Sequence, residues 1–207
     1  MPQHRDVAAF DQRAASYDEG WLGRLHHDIT NRAAALARDA AGSPRSILDV
    51  GCGSGYLLRC LATQFPQAER LAGLDAAPAM IEKATTAAPP GDGRLTFTTG
   101  VAERLPYPER SFDLVVSTTS FDHWTDQQAG LRECARVLIP GGRLLLADLF
   151  SPLLILTQVG TRRGKARTRA RATRLLAAAG FAEITWHHLV PLINAAIATK
   201  PTEGTRP

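Results

Sequence analysis

Cysteine is scarce in this chain, and the little there is forms no pattern. Cys52, Cys60 and Cys134 make no CxxC pair and leave one over in any pairing scheme. That excludes a secreted disulfide framework and points to free thiols in a reducing compartment, the cytoplasm. No apolar h-region lies between Met1 and Ala15, so no signal peptide is expected. Long apolar runs are missing too: the longest, Leu144 to Val159, is broken by Asp148 and Pro152 and is too short to span a bilayer. Acidic residues are absent from one stretch, where Arg162, Arg163, Lys165, Arg167, Arg169, Arg171 and Arg174 crowd together. Such a run can attract nucleic acid or an anionic surface. No aromatic residue interleaves it to stack a base, however, and a solvated loop running into a helix is the expected reading.

What is present describes an ordinary globular protein. At 207 residues, 44% apolar and 21% charged, the chain can bury one continuous core without disulfides or metals. Residues 1–42 read as a helical cap: Val7, Phe10, Ala14 and Tyr17 fall at helical spacing, as do Leu22, Leu25, Ile29, Ala33 and Leu36. Gly42, Ser43 and Pro44 then stop the helical pattern, and residues 43–207 read as an α/β core. Short apolar runs at Ser46–Val50, Arg70–Leu74, Leu95–Thr98, Phe112–Val116 and Arg143–Ala147 alternate with amphipathic stretches. This is the pattern of a parallel sheet covered on both faces. Pro106 and Pro108 make a regular helix between Val101 and Ser111 unfavourable. A helix over Thr168–Ala179 should end at Gly180, a left-handed cap. Two more strand-like runs, Glu183–Val190 and Ile193–Thr199, are separated only by Pro191 and Leu192, so they must be antiparallel neighbours.

The sharpest chemical signal is Ile47-Leu48-Asp49-Val50-Gly51-Cys52-Gly53-Ser54-Gly55, a strand entering a glycine-rich turn that opens a helix. Glycines there let the backbone approach a ligand closely. Asp75, twenty residues beyond Gly55 at the end of the second apolar run, is placed to accept hydrogen bonds from both ribose hydroxyls of a nucleoside. A nicotinamide dehydrogenase would share these features, but Tyr56 occupies the third glycine position of its fingerprint. Asp49 would also repel a pyrophosphate in the loop, whereas it would attract an ammonium or a sulfonium.

These residues resemble motif I of the class I S-adenosylmethionine-dependent methyltransferases, and further segments follow in the family's order. Leu71 to Met80 is similar to the ribose-binding strand end, Gly100 to Tyr107 to the adenine-side loop, Ser111 to Ser117 to the fourth strand and Arg136 to Gly142 to the turn into the fifth. Phe10 to Asp18 resembles the opening segment of the small-molecule branch that includes ubiquinone and menaquinone biosynthesis methyltransferases. The resemblance implies a Rossmann-like, mostly parallel sheet of order 3-2-1-4-5-7-6 with strand 7 antiparallel, helices on both faces, and one S-adenosylmethionine, released as S-adenosylhomocysteine. It implies that Asp49, Gly51 and Gly53 surround the methionine moiety, with Ser117 and Thr118 passing beneath it. Asp75, Ala76 and Met80 would hold the ribose and one adenine face, and Ala102 and Glu103 the adenine edge.

Tyr17 is the natural cover from the N-terminal segment, with a ring able to meet the sulfonium. Asp122 and His123 stand where an acceptor should enter and are the candidates for a general base. With Trp21, Trp124 and Phe150 they suggest a mostly apolar acceptor pocket closed by residues before Gly42, suited to a small apolar or aromatic molecule. No metal site is expected: His187 and His188 lie in a strand and face opposite ways. Three alternatives stand beside this reading: a nicotinamide-dependent oxidoreductase, a protein using the basic run on nucleic acid, and a cofactor-binding scaffold. The run Phe121-Asp122-His123-Trp124 replaces the paired histidines of many relatives. No NPPY- or DPPY-like tetrapeptide, typical of amino-methylating nucleic-acid enzymes, follows the fourth strand.

Overall fold

The computed structural model describes residues 7–151 and 168–202, so most of the basic run and the apolar run Leu153–Leu156 lie outside the described residues. Two helices, α1 (Val7–Arg13) and α2 (Gly20–Ala41), precede an alternating series. It runs β1 (Ser46–Val50), α3 (Tyr56–Gln64), β2 (Arg70–Asp75), α4 (Pro78–Ala87), β3 (Leu95–Thr99), β4 (Phe112–Thr118), α5 (Gln127–Val137) and β5 (Leu138–Leu149). The series closes with α6 (Arg169–Ala178), β6 (Ala182–Val190) and β7 (Ile193–Thr199). The strands form one sheet of order β3-β2-β1-β4-β5-β7-β6. Its pairs are parallel except where β7 runs antiparallel to β5 and to β6.

The central strands are apolar along their length because helices cover both faces. Successive side chains alternate. Leu48 and Val50 therefore pack with Leu131 and Cys134 of α5 and Leu176 of α6. Ile47 packs on the other face with Ala33 and Ala37 of α2 and Leu57 and Leu61 of α3. Among the described residues no helix is long and apolar enough to cross a membrane.

β5 starts earlier than its apolar run. Leu138 already pairs with Phe112, and the register then slips before Arg143 meets Leu114. Gly141 takes a φ of 79° at this bulge. Its N–H bonds Lys200 O at 2.8 Å and the Lys200 N–H returns a bond to Gly142 O. The segment expected as a turn is thus a bent strand end held by the sheet's last residues.

The strand order carries a functional consequence. From β1 the chain steps outward to β2 and β3, then returns to the other side of β1 as β4. The crevice beyond the carboxyl ends of β1 and β4 is the place where an open α/β sheet binds its ligand.

Candidate active site

The crevice is built first from backbone. After β1 the N–H groups of Gly51 and Cys52 donate to Leu74 O at 2.7 and 3.0 Å, folding the glycine loop over β2. Gly51 has a φ of 79°, and a Cβ there would lie 1.9 Å from Ser120 Oγ beyond β4, so no side chain fits. At the end of β2, Asp75 accepts the Gly53 N–H at 2.9 Å on one carboxylate oxygen and the Ala77 N–H at 2.9 Å on the other. Burial raises its pKa, and these backbone donors only partly offset the rise.

Asp49 differs from Asp75 in having no such donors. It is 1% exposed, and its Oδ1 has no hydrogen-bond partner among the described residues. Burial, and then the nearby Asp75, hold its carboxyl at about 8. A carboxyl buried without a counter-charge is costly to ionise, and a cation brought beside it would reverse that cost.

Over this floor lies a cavity of about 660 Å³. Of the residues expected from the sequence, Tyr17, Gly51, Gly53, Asp75, Ala76, Met80, Ala102, Thr118 and His123 line it, together with Trp124. Asp49, Glu103, Ser117 and Asp122 do not. Asp49 is buried next to Val50 in the chain, which does line it, and Ser117 is fully buried. Glu103 accepts the Asp126 N–H at 3.0 Å, at the start of α5. Asp122 is buried, and its N–H donates to Asp148 Oδ2 at 3.1 Å. The roof comes from α1 and the turn after it, through Val7, Phe10 and Tyr17.

A second cavity, of about 880 Å³, adjoins the first and shares Phe10, Tyr17, Thr119 and His123 with it. Its remaining walls are Arg13, Ser16, Glu19, Leu22 and His26. Residues before Gly42 supply seven of its nine lining residues, and Phe10, Tyr17 and Leu22 stand there beside Arg13, Ser16, Glu19 and His26. His26 stacks on Tyr17, Tyr17 meets Phe10 edge-on, and Phe10 meets His123 edge-on, with centroids 5.1, 6.4 and 5.1 Å apart. Burial, then the neighbouring His27, lowers the His26 pKa and keeps its imidazole neutral.

Two expected wall residues are elsewhere. Trp21 is 70% exposed on the outer side of α2. Phe150 is 1% exposed in the core between Phe121 and Trp186. Thr119 and His26 were missed by sequence reasoning. Thr119 combines a β-branched side chain with a φ of 51°, a strained geometry no local motif announces, at the junction of both cavities.

A glycine loop at the switch point, a carboxylate spanning two backbone donors and a second, buried carboxyl with an oxygen unbonded among the described residues define a nucleoside-binding crevice of the Rossmann-like class, suited to a positively charged ligand. Comparison with known proteins gives the family. A methyltransferase-domain family matches residues 48–146. The chain is 39% identical over 135 residues to the demethylmenaquinone methyltransferase of Deinococcus radiodurans, covering 65% of this chain and 52% of that protein. It is 32% identical over 191 residues to the malonyl-[acyl-carrier protein] O-methyltransferase of Methylococcus capsulatus, covering 88% and 68% respectively. A Haloferax volcanii protein solved in complex with the Trm112 methyltransferase activator shares the fold, with a TM-score of 0.78 at 22% identity over 93% of this chain and 97% of that one. The chain belongs to the class I S-adenosylmethionine-dependent methyltransferases. It spans about half the length of several relatives, 52% of the Deinococcus protein and 50% of another.

Proposed function

We propose that this protein transfers the methyl group of S-adenosylmethionine to an O, C or N atom of a small molecule, with the cofactor in the first cavity and the acceptor in the second. The observation that carries this reading is Asp49, a buried carboxyl whose Oδ1 has no hydrogen-bond partner among the described residues. The donor set fits the cofactor: Asp49 seeks a positive charge, and Asp75 is a ready acceptor for ribose hydroxyls. In this reading Gly51 and Gly53 admit the methionine moiety and Thr118 borders it, with Asp49 and Ser117 acting from behind the wall. Ala76 and Met80 hold the ribose side and Ala102 the adenine edge. Glu103, next to Ala102, would act at the same edge while its Oε1 accepts the Asp126 N–H.

The cofactor supplies an electrophilic methyl on a sulfonium whose departure leaves a neutral thioether, so no acid is required. The chain's task is to hold the acceptor in line and to exclude water. Burial, and then Asp75, raise the Tyr17 phenol to about 12, so it stays neutral over the cavity and can offer its ring to a cation. The rings of Phe10, Tyr17, His26 and His123 suit an aromatic acceptor, and Arg13 and Glu19 suit polar substituents on it. His123, which borders both cavities, and His26 are better sited than Asp122 to take a proton from an acceptor hydroxyl.

Residues 1–42 act in this reading as the cap, and residues 43–207 as the cofactor-binding core. The free thiols of Cys52, Cys60 and Cys134 support a reducing, cytoplasmic setting. Arg169 of the basic run bonds Asn194 and lies 5.8 Å over the Trp186 ring, so this member of the run is engaged within the fold and not offered to nucleic acid.

Calorimetry with S-adenosylhomocysteine and with NAD tests the cofactor: binding of the first and not the second is expected, and the reverse overturns the reading. Radiolabelled cofactor with acceptor pools tests transfer. Deleting residues 1–20 should abolish transfer while weakening S-adenosylhomocysteine binding by no more than about tenfold, since Asp49 and Asp75 remain. Turnover at the parental rate would remove the acceptor from beneath the cap.

A further inference from the structure

The turn between α1 and α2 holds one carboxylate that neither cavity uses. Asp18 follows Tyr17 and reaches three separate elements. Its Oδ1 accepts from Ser54 Oγ, inside the glycine loop, at 3.0 Å and meets His27 Nε2 of α2 at 3.2 Å. Its Oδ2 pairs with Lys83 Nζ of α4 at 3.1 Å. The same ammonium donates to Ala14 O at 2.8 Å and Ala15 O at 3.2 Å, just beyond the end of α1. Burial by itself would raise the Asp18 pKa, yet the bonds from Lys83, His27 and Ser54 outweigh it and hold the carboxyl below its ordinary value.

Packing closes around the same point. A Cβ at Gly23 would lie 2.3 Å from the Asp18 carbonyl carbon and oxygen, so α2 can settle here only with a glycine facing the turn. His27 stacks on Tyr56, the first residue of α3, at 3.9 Å and 9°. The chain segment carrying Tyr17 is therefore tied to the glycine loop, to α2 and to α4 through one residue. Tyr17 itself borders both cavities, and its Cε1 stands 3.7 Å from where a Cβ on Gly53 would be.

We propose that Asp18 is the positioning residue that fixes the Tyr17 ring over the glycine loop, between the two cavities. It touches neither cavity and acts through Tyr17. The inference rests on the cofactor reading only for what Tyr17 covers; the tie itself is independent of it.

Two measurements test it. In cofactor-free protein, Asp18→Asn should raise hydrogen exchange of the amides from Ala14 to Gly23 by at least tenfold, with β4 unchanged. In stopped flow, Asp18→Asn should speed S-adenosylhomocysteine release about fivefold in the parent and less than twofold in a Tyr17→Ala background. A merely structural role would speed release equally in both backgrounds, and that result overturns the proposal, as does unchanged exchange. Should Asp18→Asn fail to fold, Lys83→Met removes the Oδ2 partner and must give the same pattern with at least a threefold exchange increase. If the parent binds no S-adenosylhomocysteine, the cofactor reading fails, and the exchange measurement alone decides the role of Asp18.

Discussion

On the floor of the first cavity, Asp75 is held by the N–H groups of Gly53 and Ala77, and Gly51 is folded down by a bond to Leu74 O. On its roof, Phe10 and Tyr17 hang from a short helix and the turn after it, secured by side chains: Asp11 accepts the Ala79 N–H of α4 at 3.0 Å, and Asp18 binds Ser54, His27 and Lys83. A floor made of backbone depends on the few positions where a glycine or a carboxylate is required and tolerates change elsewhere. A roof made of side-chain bonds can be re-cut by single substitutions without disturbing the sheet. Under the proposed function, the constant ligand belongs with the floor and the variable one with the roof. This division also explains how one fold can serve different acceptors.

Asp49→Asn is the hardest test of the floor. Removing the buried carboxylate should weaken S-adenosylmethionine binding about 100-fold at pH 8, the scale expected when one partner of a buried charge pair is lost. The parent's affinity should rise with pH and level off above about 8, where Asp49 has lost its proton. Binding near pH 7 should accordingly release a proton, visible by calorimetry in buffers of different ionisation enthalpy. In the ligand-free protein the sign is opposite for stability. The Asp49 carboxyl keeps its proton up to about 8 when folded but only to about 3.8 when unfolded, so the folded state binds more protons across that window. Stability therefore falls as pH rises through it. Asp49→Asn should abolish that fall, for a gain of about 2–5 kcal/mol at pH 9 and little at pH 4, read by chemical denaturation. Parental affinity in this variant would detach the floor from cation binding.

Asp75→Ala comes next. It removes two charge-assisted bonds to the ligand, each worth about 1.5–3 kcal/mol, and should weaken S-adenosylhomocysteine binding at least tenfold by calorimetry. It also leaves the Gly53 and Ala77 N–H groups without their acceptor, so a drop in Tm should accompany it. Near-parental affinity would contradict the ribose role.

Gly23→Ala probes the roof. The added methyl meets the Asp18 carbonyl, and overpacking of this kind costs about 1–3 kcal/mol. Denaturation should register that loss, with S-adenosylhomocysteine affinity reduced only a few-fold. An affinity loss as large as that of Asp75→Ala would mean that roof and floor are not separable. The smallest effect is expected for Trp21→Ser, since an exposed side chain bordering neither cavity should change stability by less than about 0.5 kcal/mol. An effect on methyl transfer would return Trp21 to the acceptor wall.

Trp21 also marks where sequence reasoning stops. Its place in the N-terminal helical segment near Tyr17 made it a wall candidate, but Leu22, about 100° further around α2, lines the second cavity while Trp21 faces solvent. Phe150 failed for the converse reason: it follows β5 closely enough to share the core with Phe121 and Trp186. The strand ends, the glycine loop and the β6–β7 hairpin were legible because each is written in adjacent residues: an apolar run, a turn, a two-residue link. The early start of β5 was not, because Gly141 is drawn into the sheet by Lys200, far along the chain.

The sequence by itself determined the order of elements, the parallel sheet with its antiparallel end, and the placing of Asp49 and Asp75 at neighbouring strand ends. Periodicity and turn chemistry act over a few residues and need no tertiary context. Only the tertiary structure decided that Asp75 would meet backbone donors while Asp49 would have an unbonded oxygen. It alone brought Thr119 and His26 to the second cavity and gathered Ser54, His27 and Lys83 around Asp18. Those outcomes depend on which distant surfaces meet once both faces of the sheet are covered, and no local pattern encodes such a meeting.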